Sequence, residues 1–146
     1  MKKFFNQSVL DGVRTELEKL VELEAEKLIS AGKITDPFVD VPFDTRIARL
    51  YVGHMDDAPT SFRPELHGPL LFDLFFHKHL LDVIQIFLGN EIRLYPNYTS
   101  RPKFPDWEGT LVLWHQDGSC WSLEPMEVVT FWLAVDDSRP ELDACG

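Results

Sequence analysis

The residues of this chain with the clearest chemical potential stand in the stretch LVLWHQDGSCW, residues 111–121, where His115 and Asp117 interrupt an apolar run two positions apart. With 5 histidines and 13 aspartates in 146 residues, random order alone produces about 0.4 such His-x-Asp tripeptides. The tripeptide gains meaning only from its setting. In an extended segment, residues i and i+2 point to the same side, so an imidazole and a carboxylate would face one pocket. A carboxylate buried on such a strand without a partner would cost several kcal/mol. An imidazole and a carboxylate are two of the three donors of the facial two-histidine, one-carboxylate centre, which holds Fe(II) on one face and leaves the other for substrates. The third donor has to come from elsewhere in the chain.

The elements around that stretch change character along the sequence. Residues 8–30 place Val9, Val13, Leu17, Leu20, Val21 and Leu28 on three- and four-residue steps, which predicts one amphipathic helix. Ser8 with Asp11 offers its N-terminal cap, and Gly32 followed by Lys33 its stop. The Glu/Lys run over 16–27 reads as the solvated face of that helix. Residues 33–45, with two prolines and three aspartates, read as a loop, and 46–52 as a short helix. The polar stretch 53–69 contains three prolines and reads as a lid over a site or as a surface loop. Residues 70–88 carry apolar side chains on helical spacing up to Gly89, which fits a helix pair or a bent helix. Beyond residue 91, IRLYPNYTS, TLVLWHQD and EVVTFWLAVDD alternate and are rich in β-formers, which predicts three strands. Helices followed by strands give an α+β chain, a single domain over 1–146 with a mainly helical part (1–90) and a β-core part (91–146).

Composition removes several functions. The formal charge of −10 repels phosphate backbones and anionic lipid heads, so nucleic acid and membrane surfaces are not expected partners. MKKFF begins like a secretion signal, but Asn6, Gln7, Ser8 and Asp11 break the apolar stretch. No run approaches the ~20 apolar residues of a membrane span. Cys120 and Cys145 form no C-x-x-C pair and no disulfide framework, so a reduced, cytoplasmic protein is expected. His77 and His79, two apart on a helix, would diverge by about 200° and share no metal; His54 and His67 read as surface residues. Oligomeric state is not readable.

WHQD at 114–117, Trp121, the run VVTFWLAVDD at 128–137 and SRPE at 138–141 occur in an order that resembles the phytanoyl-CoA dioxygenase family of Fe(II)- and 2-oxoglutarate-dependent oxygenases. Upstream, LGNEIRLYPNY at 88–98 and the Arg101-Pro102-Lys103 segment are similar to that family's approach to its β-core. The resemblance implies a double-stranded β-helix, or jelly roll, present here as its first strands. It implies His115 and Asp117 as iron ligands. Gln116, Trp132 and Arg101 would fall at positions that help hold the cosubstrate 2-oxoglutarate. The implied reaction is hydroxylation of a small-molecule substrate at an unactivated carbon, driven by decarboxylation of 2-oxoglutarate to succinate. By residue type alone, Trp132 also reads as core, Arg101 as a loop anchor, and Gln116 faces away from His115 unless the strand bends.

The chain departs from the family pattern after Glu141. Relatives continue into strands bearing a third ligand histidine and an arginine that pairs with the far carboxylate of 2-oxoglutarate. Here 29 residues follow Asp117 and none is histidine. An N-terminal fragment, inactive or nearly so by itself and exposing apolar sheet faces, is therefore expected. The competing expectation is a non-catalytic binding or interaction protein derived from the family. A metal-dependent hydrolase built on the same pair lacks the further clustered histidines such enzymes use. The substrate is not readable, and residues 53–69 are the expected place for contacts with it.

Overall fold

A computed structural model describes residues 4–95, 97–105, 107, 115, 117, 121, 124 and 127–135. Among the described residues the helices run in chain order α1 (Gln7–Ser30), α2 (Phe43–Leu50), α3 (Pro69–Phe75) and α4 (Lys78–Leu88). α1, at 24 residues, is about 36 Å long and serves as the backbone of the assembly, with α2 and α3 packed against it.

The expected amphipathic helix is present, with two differences. Asn6, not Ser8, is the N-cap: its side-chain oxygen accepts from the Val9 N–H at 3.0 Å. The Ser8 hydroxyl instead donates to that same Asn6 oxygen. At the other end Gly32 takes φ +69°, its N–H donates to Ile29 C=O and the Lys33 N–H donates to Leu28 C=O, both at 2.9 Å. That pair of bonds is the Schellman stop, and the left-handed residue it needs is the glycine. The second difference concerns the charged run, because Glu16 and Glu24 are buried rather than solvated. Glu16 accepts from Lys19 Nζ at 3.0 Å, and its carboxyl packs where a Cβ on Gly68 would lie. Glu24 accepts from Lys27 and from the Tyr51 hydroxyl.

α2 begins three residues before the expected helix. Pro42 is its N-cap residue, and the Pro42 carbonyl accepts from Thr45 and Arg46 N–H groups. Arg46 ties three segments together, donating to Glu22 of α1 at 2.7 Å and to the Pro37 carbonyl from two nitrogens. The apolar stretch 70–88 is a helix pair, broken at Phe76, and His77 caps α4 by accepting the His79 N–H on Nδ1. Since His77 stands outside the helix, the predicted divergence from His79 does not hold, and their ring centroids are 5.2 Å apart.

The core joins Val13, Leu17, Leu20, Val21, Ala25 and Leu28 of α1 to Ile47, Leu50 and Tyr51, to Leu71 and Leu74 of α3, and to Phe104. Residues 53–69 contribute Ala58, Phe62 and Leu66 to it, so this stretch is pinned by apolar anchors rather than lying loosely on the surface. His54 Nε2 donates there to the Lys33 carbonyl, 2.9 Å away, and the residue is half-buried, whereas His67 is exposed.

Among the described residues the strands expected over 92–100 and 127–137 are not seen. Among the described residues of 92–100 the β-pairing is a single antiparallel bridge, Phe62 with Ser100, closed by two bonds of 2.8 and 3.0 Å. Residues 127–135 carry no ladder. Most of 110–117 lies outside the described residues, as do 136 and 137. A strand is defined by the neighbour that takes its N–H and C=O groups, and alternation supplies no neighbour.

Candidate functional site

Asp117 lies in a helical turn, its carbonyl accepting the Trp121 N–H at 3.2 Å. The extended backbone that was expected to aim it is therefore not its support. His115 and Asp117 converge all the same: His115 Nε2 is 3.0 Å from Asp117 Oδ1. Both remain reachable from solvent, with side-chain exposures of 43% and 25%.

The carboxylate is not left unpaired, as a lone buried carboxylate on a strand would have been. Its second oxygen, Oδ2, accepts from the Thr130 hydroxyl at 2.7 Å. Thr130 had no place in the sequence reading. The signal was present, since it is the polar residue in the apolar run VVTFWLAV, but β-branching made it look like a strand former only. Leu133 and Val135, a few residues on, pack against the core and fix this segment. Four residues after Asp117, Trp121 stacks on Tyr95 with centroids 5.3 Å apart and planes at 19°, which ties the helical turn to the segment before Ser100.

The remaining expected site residues are placed less closely. Arg101 is exposed, directly after the Phe62–Ser100 bridge. Trp132 is 65% exposed, so its reading as a core residue is set aside. Gln116 lies outside the described residues. Among the described residues no group of three or more His, Cys, Asp and Glu side chains could hold a metal ion.

The donor set fits a divalent cation as far as it goes. Two ligand atoms each about 2.1 Å from one ion and at right angles lie about 3.0 Å apart, which is the separation of Nε2 and Oδ1. In the absence of an ion, a proton between them makes the same distance an ordinary hydrogen bond.

A histidine and an aspartate meeting on one partly open surface offer two donors of the kind a divalent cation takes, and the Thr130 hydroxyl engages the second carboxylate oxygen. Residues 1–143 match the family model described as phytanoyl-CoA dioxygenase (PhyH), and the chain belongs to that family. The family is one of iron- and 2-oxoglutarate-type oxygenases with a jelly-roll fold. No curated protein and no solved structure matches the chain. Among the described residues no helix is long and apolar enough to cross a membrane.

Proposed function

We propose that this chain serves Fe(II)- and 2-oxoglutarate-dependent hydroxylation of a small molecule, with His115 and Asp117 as two protein ligands of the iron. The observation that carries the reading is the 3.0 Å approach of Nε2 to Oδ1, one edge of an octahedron, in a chain of this family. When bound, iron and 2-oxoglutarate supply the oxidising power for breaking a substrate C–H bond, with succinate formed alongside the product.

The protein's part is to hold and to orient. His115 offers Nε2 only when that nitrogen carries no proton, so cation binding displaces the proton shared with Asp117. Arg101, exposed and planar, is suited to grip a carboxylate of the cosubstrate with two parallel N–H bonds. Trp132 leaves its indole face open and serves as a wall, and Gln116 completes the cosubstrate contacts. No histidine follows Asp117 in this sequence, so in this reading the pair supplies two of the three protein ligands of such a centre.

Binding of Fe(II) under anaerobic conditions, followed by equilibrium dialysis, tests the assignment. The 146-residue chain is expected to take up one ion, and His115→Ala and Asp117→Asn to lose about a hundredfold in affinity, as removal of a direct ligand should cost at least as much as loss of an outer partner. Equal uptake by the parent and His115→Ala would end the assignment. Succinate release is expected to be slight, because the donor set is incomplete; brisk release abolished by His115→Ala would show that two ligands suffice.

A further inference from the structure

The two oxygens of Asp117 have different neighbours. Oδ1 faces His115 Nε2 at 3.0 Å and Oδ2 accepts from Thr130 Oγ1 at 2.7 Å. A carboxylate with no such bond turns about its Cβ–Cγ axis and can present either oxygen, or both, to a cation. A hydroxyl donating to an ionised carboxylate makes one of the stronger hydrogen bonds in a protein, and a directional one. The donor is itself held: Thr130 precedes Leu133 and Val135, which pack on the core, and it lies thirteen residues from Asp117 in sequence. The carboxylate plane is therefore set by a second, independently anchored segment.

We propose that Thr130 is a positioning residue for the metal site: by engaging Oδ2 it leaves Oδ1 alone to meet a divalent cation beside His115 Nε2. The inference rests on the reading of His115 and Asp117 as metal ligands. One-oxygen binding matters for an oxygenase, since a carboxylate that used both oxygens would fill a position that ligands from solution need. Thr130 makes no contact with the cation itself. Its hydroxyl is the operative group and its methyl is not, so serine should replace it and valine should not.

Mn(II) alone, titrated into the full chain and followed by the electron paramagnetic resonance of the free ion, separates the possibilities. Thr130→Val is expected to weaken Mn(II) binding about tenfold or more, with Thr130→Ser within about twofold of the parent and His115→Ala abolishing binding. Thr130→Ala, which adds no bulk at this exposed position, should match valine, and unchanged helical circular dichroism shows that the fold is intact. Thr130→Val and Thr130→Ala binding as tightly as the parent, while His115→Ala does not bind, would overturn the role of Thr130 and leave the ligand assignment standing. The same holds if serine fails as badly as valine. Mn(II) held equally by the parent and His115→Ala would overturn both.

Discussion

At the scale of single residues, the most consequential buried contact is that of Tyr51 with Glu24. Tyr51 is 2% exposed, and its hydroxyl donates to a Glu24 carboxylate that is itself buried. Burial first, then the hydrogen bond and the negative charge of Glu24, with Asp57 adding to it, push the phenol well above its ordinary value of 10.0. The folded chain thus keeps this proton at a pH where the unfolded chain has released it. Stability from the site is complete below about pH 10 and declines as pH rises beyond it, because there the folded state binds more protons than the unfolded one. Tyr51→Phe lacks the phenol and so lacks this alkaline loss. It is expected to be less stable than the parent by about 1–3 kcal/mol at neutral pH, the worth of a bond to a charged group. Urea unfolding at about pH 8, and again above about pH 10.5, should show that gap narrowing. A constant gap would mean that Tyr51 ionises no differently in the folded chain.

Among the elements, α1 shows how far sequence reasoning reaches. Its apolar spacing and its glycine stop are local features, and both are as expected in the structure. Gly32 has nothing within 4 Å of where a Cβ would stand, so the strain of a left-handed residue is the whole cost of a side chain there. Gly32→Ala is expected to destabilise by about 1 kcal/mol, and Gly32→Asn by less, because Asn tolerates that region. Equal melting temperatures for parent and Gly32→Ala would show that a side chain meets no strain in this left-handed conformation. α2 was harder to place, since the proline and aspartates before it look like loop while Pro42 in fact starts the helix. Burial of Glu16 and Glu24 was invisible because it depends on Gly68 and Tyr51, which come from distant segments. Among the described residues the strands expected over 92–100 and 127–135 are the largest departure, β-propensity being a statement about neighbours that one segment does not carry. For the site, residue type and spacing pointed to His115 and Asp117, while Thr130 came into view only when its segment was seen against Asp117.

Taken as a whole, the molecule is unevenly held. The buried cluster draws on α1, α2, α3, the 53–69 stretch and Phe104, and no residue of α4 is buried. Ile86 and Phe87 of α4 are 78% and 68% exposed. An isolated helix of that length is marginal in water, and its cap, a 3.3 Å bond from the His79 N–H to His77 Nδ1, is a long one. α1 therefore opens only when the core is lost, whereas α4 can fray while the core remains. Amide hydrogen exchange should separate the two: the inward residues of α1, from Val13 to Leu28, are expected to exchange at least about tenfold more slowly than those of α4 after correction for intrinsic rates. Low urea sharpens the distinction. Exchange from α1 should accelerate steeply, as for global unfolding, and that from α4 barely at all, because a local opening exposes little new surface. If α4 shows the same steep dependence as α1, the two helices unfold together, and some packing of α4 stronger than its exposed apolar face allows must hold it to the rest.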